Sequence, residues 1–291
     1  MNMSFRYQGQ GPMPVVFFFS GGASSMKAAL ESPDHGVAYR VVGAVANRDK
    51  NEAPVGWEIA DAHRVHVEYI NPQDLPTREG FYQVVLDYVR ETTPDIVGLS
   101  GFLYKYSLVD EPFLGAYANR IINVHPADLS ILASIGERTA WDLGRMGTEQ
   151  RKIHMRDYPY EHGVSMVKAG CKRLFTGDDP VAMAVLFGEK EVCSTIHSVT
   201  DVCDGGPILV QSKRLPVDTA FVDKMLARNA LDRISAYAHE LQGRMKTECD
   251  GPAFCGALRL LAEGRMGIGD DFVTLDGKTL PYCGHQLDST E

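Results

Sequence analysis

The sequence predicts an α/β fold, a mostly parallel sheet flanked by helices, and three observations predict it. Several apolar runs have the length of a strand: Val15–Phe19, Tyr39–Ala46, Pro94–Phe102 and the Ile121, Ile122, Val124 set. Continuous apolar runs of that length mark strands covered on both faces, as in parallel sheets. Helical segments alternate with them, at Met26–Leu30, Ala53–His63, Thr77–Arg90 and Pro112–Arg120. The third of these carries Phe81, Val84, Val85, Tyr88 and Val89 at helical spacing. Thirdly, the polar and glycine-rich residues fall where strands end: Ser20–Ser25, Asn47, Phe102, and Asn123 with His125. Open α/β sheets bind ligands at those carboxyl ends, so the residues predict one site there.

Bulk properties narrow the function. The chain has 291 residues, 44% apolar and 23% charged, enough for a sizeable core. Its net charge of −9 and lack of a basic run argue against nucleic acid or an acidic membrane as partner. No apolar run approaches the ~20 residues a membrane helix needs. The six cysteines include no C-x-x-C pair, which argues against structural zinc. Phe17–Phe19 is short and runs into Ser-Gly-Gly without a cleavage pattern, so a cytoplasmic protein with reduced thiols is expected. Its partners are expected to be small molecules, and its state a monomer or homodimer.

Taken in order, residues 1–13 read as a loose terminus. Gly21, Gly22, Ala23, Ser24 and Ser25 then lead from the first strand into a helix. Such a loop presents backbone N–H groups and the positive end of the helix dipole, an anion site in outline; a tight turn without ligand is the alternative. Neither the dinucleotide fingerprint nor the Walker pattern fits it. His63 and His66 straddle a helix-to-strand junction and need not share a face, so no metal site is expected. Thr77 is an N-cap candidate and Arg78 follows it. Asn123 and His125 lie two apart on a strand that Pro126 ends, so they face one side together. An amide and an imidazole there suit a carbonyl oxygen that gains negative charge. A strand cap of no chemical use is the alternative.

A later stretch, Ser194–Leu209, contains Val199-Thr200-Asp201 and Asp204-Gly205-Gly206-Pro207 after a strand. With the earlier Asn-x-His-Pro, it resembles the 10-formyltetrahydrofolate-dependent formyltransferases, above all those acting on glycinamide ribonucleotide in purine synthesis. The resemblance implies the Rossmann-like formyltransferase fold. It assigns the catalytic residues to Asn123, His125 and Asp201, with Asp201 holding His125. It gives the substrate phosphate to Gly21–Ser25, although Ala23 and Ser25 replace a Gly and an Asn, and to Arg78. It gives the folate to Phe102, Leu103, Tyr104 and Lys105 and to the Asp204, Gly205 segment. Glu248 matches a Glu that touches the amine end of the substrate. The implied co-substrate is 10-formyltetrahydrofolate, with no metal.

The resemblance covers residues 14–283 as one domain, apart from an insertion at about 133–176 expected at the rim of the site. Beyond it come a helix from Gly177 through Leu186, a strand from Ile208, a long helix at about Ala220–Met245, a helix at Ala253–Glu263, and a hairpin at Phe272–Pro281 turning at Gly277. Rival readings are formyl transfer to another small amine or amino-sugar nucleotide, and hydrolysis of the formyl donor by water. An adenylating ATP pyrophosphatase is a third, from Ser20–Ser25. A non-catalytic folate- or nucleotide-binding protein is a fourth. The hydrolase family carries an extra N-terminal domain, for which there is no room before Val15.

Overall fold

The computed structural model describes residues 3–102, 116–133, 152–156 and 158–287, with the side chains of Met3, Ser4 and Arg78 left out. The chain opens with β1 (Met3–Phe5), then β2 (Met13–Phe19), α1 (Ser24–Glu31), β3 (Tyr39–Ala46), α2 (Pro54–Ala62), β4 (Val67–Tyr69), α3 (Arg78–Thr92), β5 (Ile96–Ser100) and β6 (Ile121–His125). Strands β2 to β6 pair in parallel in the order β4-β3-β2-β5-β6. The reason lies in the sequence. Phe17, Phe18 and Phe19 are all fully buried, which a strand allows only with both faces covered. Their side chains alternate: Phe17 packs on Phe254 at 5.3 Å and Phe18 on Phe102 at 5.4 Å, in separate cores on the two faces. Each buried Phe contributes roughly 1.5–3 kcal/mol. Most of the predicted Pro112–Arg120 helix lies outside the described residues.

After β6 the chain leaves this pattern. A three-stranded antiparallel sheet forms from β7 (Ile131–Ala133), β8 (Lys152–His154) and β9 (Lys172–Arg173), with β7 central and α4 (Tyr160–Lys168) between β8 and β9. Most of these elements fall in the stretch expected as an insertion, of which residues 134–151 lie outside the described residues. Then come α5 (Pro180–Leu186), β10 (Glu191–Val192), β11 (Thr195–Ser198), β12 (Ile208–Gln211), β13 (Leu215–Pro216), α6 (Thr219–Leu226) and α7 (Leu231–Met245). A π-helical turn, Lys246–Asp250, carries α7 into α8 (Gly251–Ala262). The chain closes with β14 (Met266–Gly269), β15 (Val273–Leu275), β16 (Lys278–Thr279) and β17 (His285–Gln286). The completed main sheet has eight strands, β17-β12-β11-β6-β5-β2-β3-β4, and β11 runs antiparallel to both its neighbours.

Three local expectations change. Met3–Phe5 is not a loose segment, because it pairs with β14. The long helix breaks into α6 and α7 at Asn229, whose φ of 54° a helix cannot accommodate. Glu248 and Asp250 belong to a π turn inside one continuous helical run, and an extra residue per turn rotates the faces that follow. The hairpin forms as expected, with Asp276 and Gly277 both at positive φ, the signature of a type I′ turn.

The insertion is tied to the main body by charge as well as by its small core. Arg156 donates to Glu191 at 2.6 Å, Glu191 also meets Arg214 at 3.3 Å, and Arg214 meets Asp128 at 2.8 Å. Burial alone would raise the Asp128 pKa. The Arg214 cation and hydrogen bonds from Ser130, Arg214 and Gln211 outweigh it and hold the carboxyl below its usual range.

Candidate active site

Asn123 and His125 stand at the carboxyl end of β6, both buried and on the same face, as their two-residue spacing requires. The partner across the sheet is β11, in a register that puts His197 opposite Asn123 and Thr195 opposite His125. Register is invisible to a reading of either strand alone, so His197 was missed as a site residue. Its only signal was its place in the Thr-Ile-His-Ser strand preceding Val199-Thr200-Asp201.

The hydrogen bonds fix a direction through this cluster. His197 Nδ1 lies 2.9 Å from the Ser198 carbonyl, which can only accept, so this nitrogen carries the proton. His197 Nε2 therefore accepts, and its partner at 3.2 Å is Asn123 Nδ2. That bond orients the Asn123 amide with its NH₂ end inward and leaves one N–H to donate elsewhere. The arrangement needs a neutral His197. Burial pushes its pKa down to about 3, with Arg173 and His125 adding to the fall and Asp204 opposing it. His125 donates from Nε2 to the Phe175 carbonyl at 2.7 Å, and its Nδ1 faces a carboxylate oxygen at 3.6 Å.

That carboxylate is Asp204, which corrects the assignment to Asp201. Asp201 is exposed on the loop between β11 and β12, whereas the Asp204 side chain is wholly buried. One Asp204 oxygen lies 3.6 Å from His125 Nδ1 and the other 3.7 Å from His197 Nε2. The turn that aims it inward requires φ 51° at Asp204, and the loop then folds back so closely that a Cβ at Gly206 would strike the Ser198 carbonyl. The insertion side contributes here as well. Phe175 supplies the carbonyl to His125, and Gly177 N–H points at the Asp204 carboxylate at 3.4 Å. Beside the loop lies a cavity of about 600 Å³ whose walls include Tyr160, Val164, Arg173, Val202, Cys203 and Tyr282. Gly205 lines it too, and Phe102 is buried against Phe18; Leu103, Tyr104 and Lys105 lie outside the described residues.

The Gly21–Ser25 loop sits at the end of β2, adjacent to β5. Ser100 Oγ accepts from the N–H groups of Ser25 and Met26, and Ser20 N–H donates to the Gly101 carbonyl. Ala23 caps α1 in the left-handed region at φ 46°. Ser25 Oγ and both amide atoms of Asn47 are buried and find no partner among the described residues. Buried polar groups without partners are costly and mark places where a polar ligand fits. Arg78 begins α3, behind Thr77, which caps it by accepting from Gly80 N–H; the Arg78 side chain lies outside the description.

Glu248 sits in a part-exposed ion-pair cluster, paired with Lys213 at 3.2 Å and Arg244 at 3.0 Å, and those bonds lower its pKa. Two residues on, Asp250 is buried, and its carboxylate accepts from Ser194 Oγ next to Thr195, the strand partner of His125. Gly251 beside it packs against Ala28 of α1, which places Asp250 between β11 and α1. Burial pushes the Asp250 carboxyl up to about 6, against the Ser194 bond and the Lys246 charge.

Among the described residues no group of three or more His, Cys, Asp or Glu could hold a metal, and no helix is long and apolar enough to cross a membrane. All six cysteines are free thiols. No protein-family profile matches the chain. Among curated proteins it is similar to the phosphoribosylglycinamide formyltransferase of Escherichia coli, 23% identical over 277 residues, covering 95% of this chain and 100% of that protein. It is also 24% identical to the Bacillus subtilis protein of that name, over 77% of this chain and 86% of that one. Among solved structures, that of phosphoribosylglycinamide formyltransferase from Coxiella burnetii superposes with a TM-score of 0.63 at 21% identity, covering 95% of this chain and all of that one. A formyltetrahydrofolate deformylase from Pseudomonas putida gives 0.59 at 17% identity, over 92% of this chain and 71% of that one. The fold is thus the one those enzymes share.

Proposed function

We infer that the chain is a formyltransferase of the phosphoribosylglycinamide formyltransferase kind, transferring a formyl group from 10-formyltetrahydrofolate to the primary amine of glycinamide ribonucleotide. The observation that carries this reading is the cluster of Asn123, His125, His197 and Asp204 on one face of paired strands. Full-length similarity to enzymes of that name supports it.

The residues divide the work as follows. The amine attacks the formyl carbon, and the carbonyl oxygen becomes an oxyanion. Asn123 donates to it with the N–H that His197 leaves free, held in orientation before the substrate arrives. His125 supplies the second donor, its Nε2 proton passing from the Phe175 carbonyl to the oxyanion. Asp204 faces the other ring nitrogen and stabilises the imidazolium that such donation requires. The amine proton leaves to solvent or to Asp204, the carbon–N10 bond breaks as N10 takes up a proton in return, and tetrahydrofolate departs. The Gly21–Ser25 loop, with Ser25, Asn47 and Arg78, holds the acceptor's phosphate end. The Asp204–Gly206 turn and Phe102 border the donor, and Asp250 takes the place first given to Glu248 near the amine end. The enzyme works in the cytosol, as monomer or homodimer, and needs no metal.

The deformylase of the same fold favours a second reading, with water as acceptor. One experiment separates the two. The protein is incubated with 10-formyltetrahydrofolate, alone and with glycinamide ribonucleotide, its dephosphorylated riboside, or other small amines. Tetrahydrofolate release that depends on the ribonucleotide is expected. Release at the same rate without any amine assigns the chain to hydrolysis.

A further inference from the structure

Arg173 sits on β9, in the expected insertion, where the motif resemblance to the formyltransferases lapses. Its guanidinium nevertheless reaches the loop between β11 and β12. Nη1 donates to the carbonyl of Asp204 itself, and Nη2 donates to the carbonyl of Gly206 at 2.8 Å. The third nitrogen, Nε, points to the Tyr282 hydroxyl at 3.4 Å, and the guanidinium lies 5.6 Å from the centre of the Tyr282 ring. Arg173 is thus held from behind by the C-terminal segment while it grips both sides of one turn.

That turn needs a grip. Asp204 has positive φ, a conformation unfavourable for a non-glycine residue. Its carboxylate is fully buried, facing two imidazoles at 3.6 and 3.7 Å. A chain free to relax would turn that carboxylate out to water and return φ to negative values. A planar fork that bridges two carbonyls two residues apart opposes both movements, and lysine cannot reproduce it.

We propose that Arg173 is a positioning residue for formyl transfer: a strap from the insertion that locks the Asp204 turn in its inward conformation. The role rests on the formyl-transfer reading for its kinetic consequence, but not for its structural one, and the test uses both. Arg173→Ala removes the strap, and because Arg173 lines the 600 Å³ cavity, added guanidinium has a route to the gap. Misplacing a catalytic group by about 1 Å can cost ~100-fold in rate. Arg173→Ala should therefore lose roughly 10- to 100-fold in kcat, with acceptor KM unchanged, and added guanidinium should restore part of it. Independently, hydrogen exchange at the amides of 203–206 should quicken at least about tenfold, whatever reaction the protein catalyses. Arg173→Lys, which keeps the charge, should show both effects in weaker form, and it decides the matter if the Ala variant does not fold. Wild-type exchange in the 203–206 turn overturns the strap. Quickened exchange with kcat within twofold of wild type overturns its part in catalysis. A wild-type protein without formyl transfer overturns the functional reading and leaves the exchange result to judge the strap alone.

Discussion

The two ends of this site are built differently. At the proposed catalytic end, Asn123, His125, His197 and Asp204 lie on strands and a turn gripped by Arg173: each imidazole donates to a backbone carbonyl, the Asn123 amide donates to His197, and the Asp204 carboxylate lies 3.6 and 3.7 Å from the two rings. At the loop end, Ser25 Oγ and the Asn47 amide are buried with no partner among the described residues. The first group of side chains already has protein partners, with one Asn123 N–H over; the second has none among the described residues. The difference matches what the proposed function asks of each. Oxyanion donors have to be rigid before the reaction begins, because reorganising them would add to the barrier. A phosphate site can hold its donors in reserve, since the ligand supplies the partners on binding.

The comparison breaks most visibly at the catalytic end. Removing an oxyanion donor typically costs about 10²–10³ in turnover. Asn123→Ala and His125→Ala should each lose at least that in kcat while remaining folded, and the double variant should lose little more, since both serve one transition state. Steady-state kinetics of the three proteins checks this, and near-normal turnover in either single variant contradicts it.

At the other end the expected effects are smaller and fall on KM. A charge-assisted contact is worth about 1.5–3 kcal/mol, so Arg78→Ala should raise the acceptor KM by roughly ten- to a hundredfold with kcat little changed. Asn47→Ala should raise it by only about fivefold, the worth of ~1 kcal/mol. Unlike the catalytic variants, Asn47→Ala should not destabilise the free protein, because an unpaired buried amide costs about 1–3 kcal/mol. Thermal melts with and without the ribonucleotide test that contrast: a clear loss of stability without ligand would show that Asn47 is partnered after all.

A subtler effect concerns Asp250. Its folded pKa of about 6 stands above the ordinary carboxylate value of 3.8. Below pH 4 the carboxyl is protonated folded or unfolded, and the shift has no effect. Between about pH 4 and 6 the folded state holds the proton more tightly, so the wild type loses stability as pH rises through that window. Asp250→Asn escapes the loss. It should be more stable than wild type at pH 7 to 8 by up to about 3 kcal/mol, and equal to it near pH 4. Denaturant midpoints at several pH values measure this, and a pH-independent difference would contradict it. Glu248→Ala should shift stability little, as the loss of an exposed ion pair does, and leave kinetics alone.

Much of the molecule was legible in the sequence, for reasons specific to each part. The parallel core could be read because Phe17–Phe19 and its sister runs are apolar without alternation. Asn123 and His125 could be paired because a strand's period is two. The rest depends on what no local pattern states. Asp201 and Asp204 both follow β11, and only the left-handed turn at Asp204, held by a distant arginine, decides which points inward. His197 joins through strand register. Asp250 rather than Glu248 is buried here, within a π turn that no local sequence pattern announces. The motif resemblance lapses at about 133–176, yet that stretch contributes the carbonyl on His125 and the grip on Asp204.

In the proposed mechanism the buried Asp204, not the exposed Asp201, completes the catalytic set with His125. The direct measurement is the kcat for tetrahydrofolate release, with 10-formyltetrahydrofolate and glycinamide ribonucleotide at saturation, in Asp204→Asn and Asp201→Asn prepared side by side. Asp204→Asn should fall by about 10² or more, because an amide cannot stabilise the imidazolium. Asp201→Asn should stay within about threefold of wild type. The reverse ranking, or equal losses in both, would contradict the account.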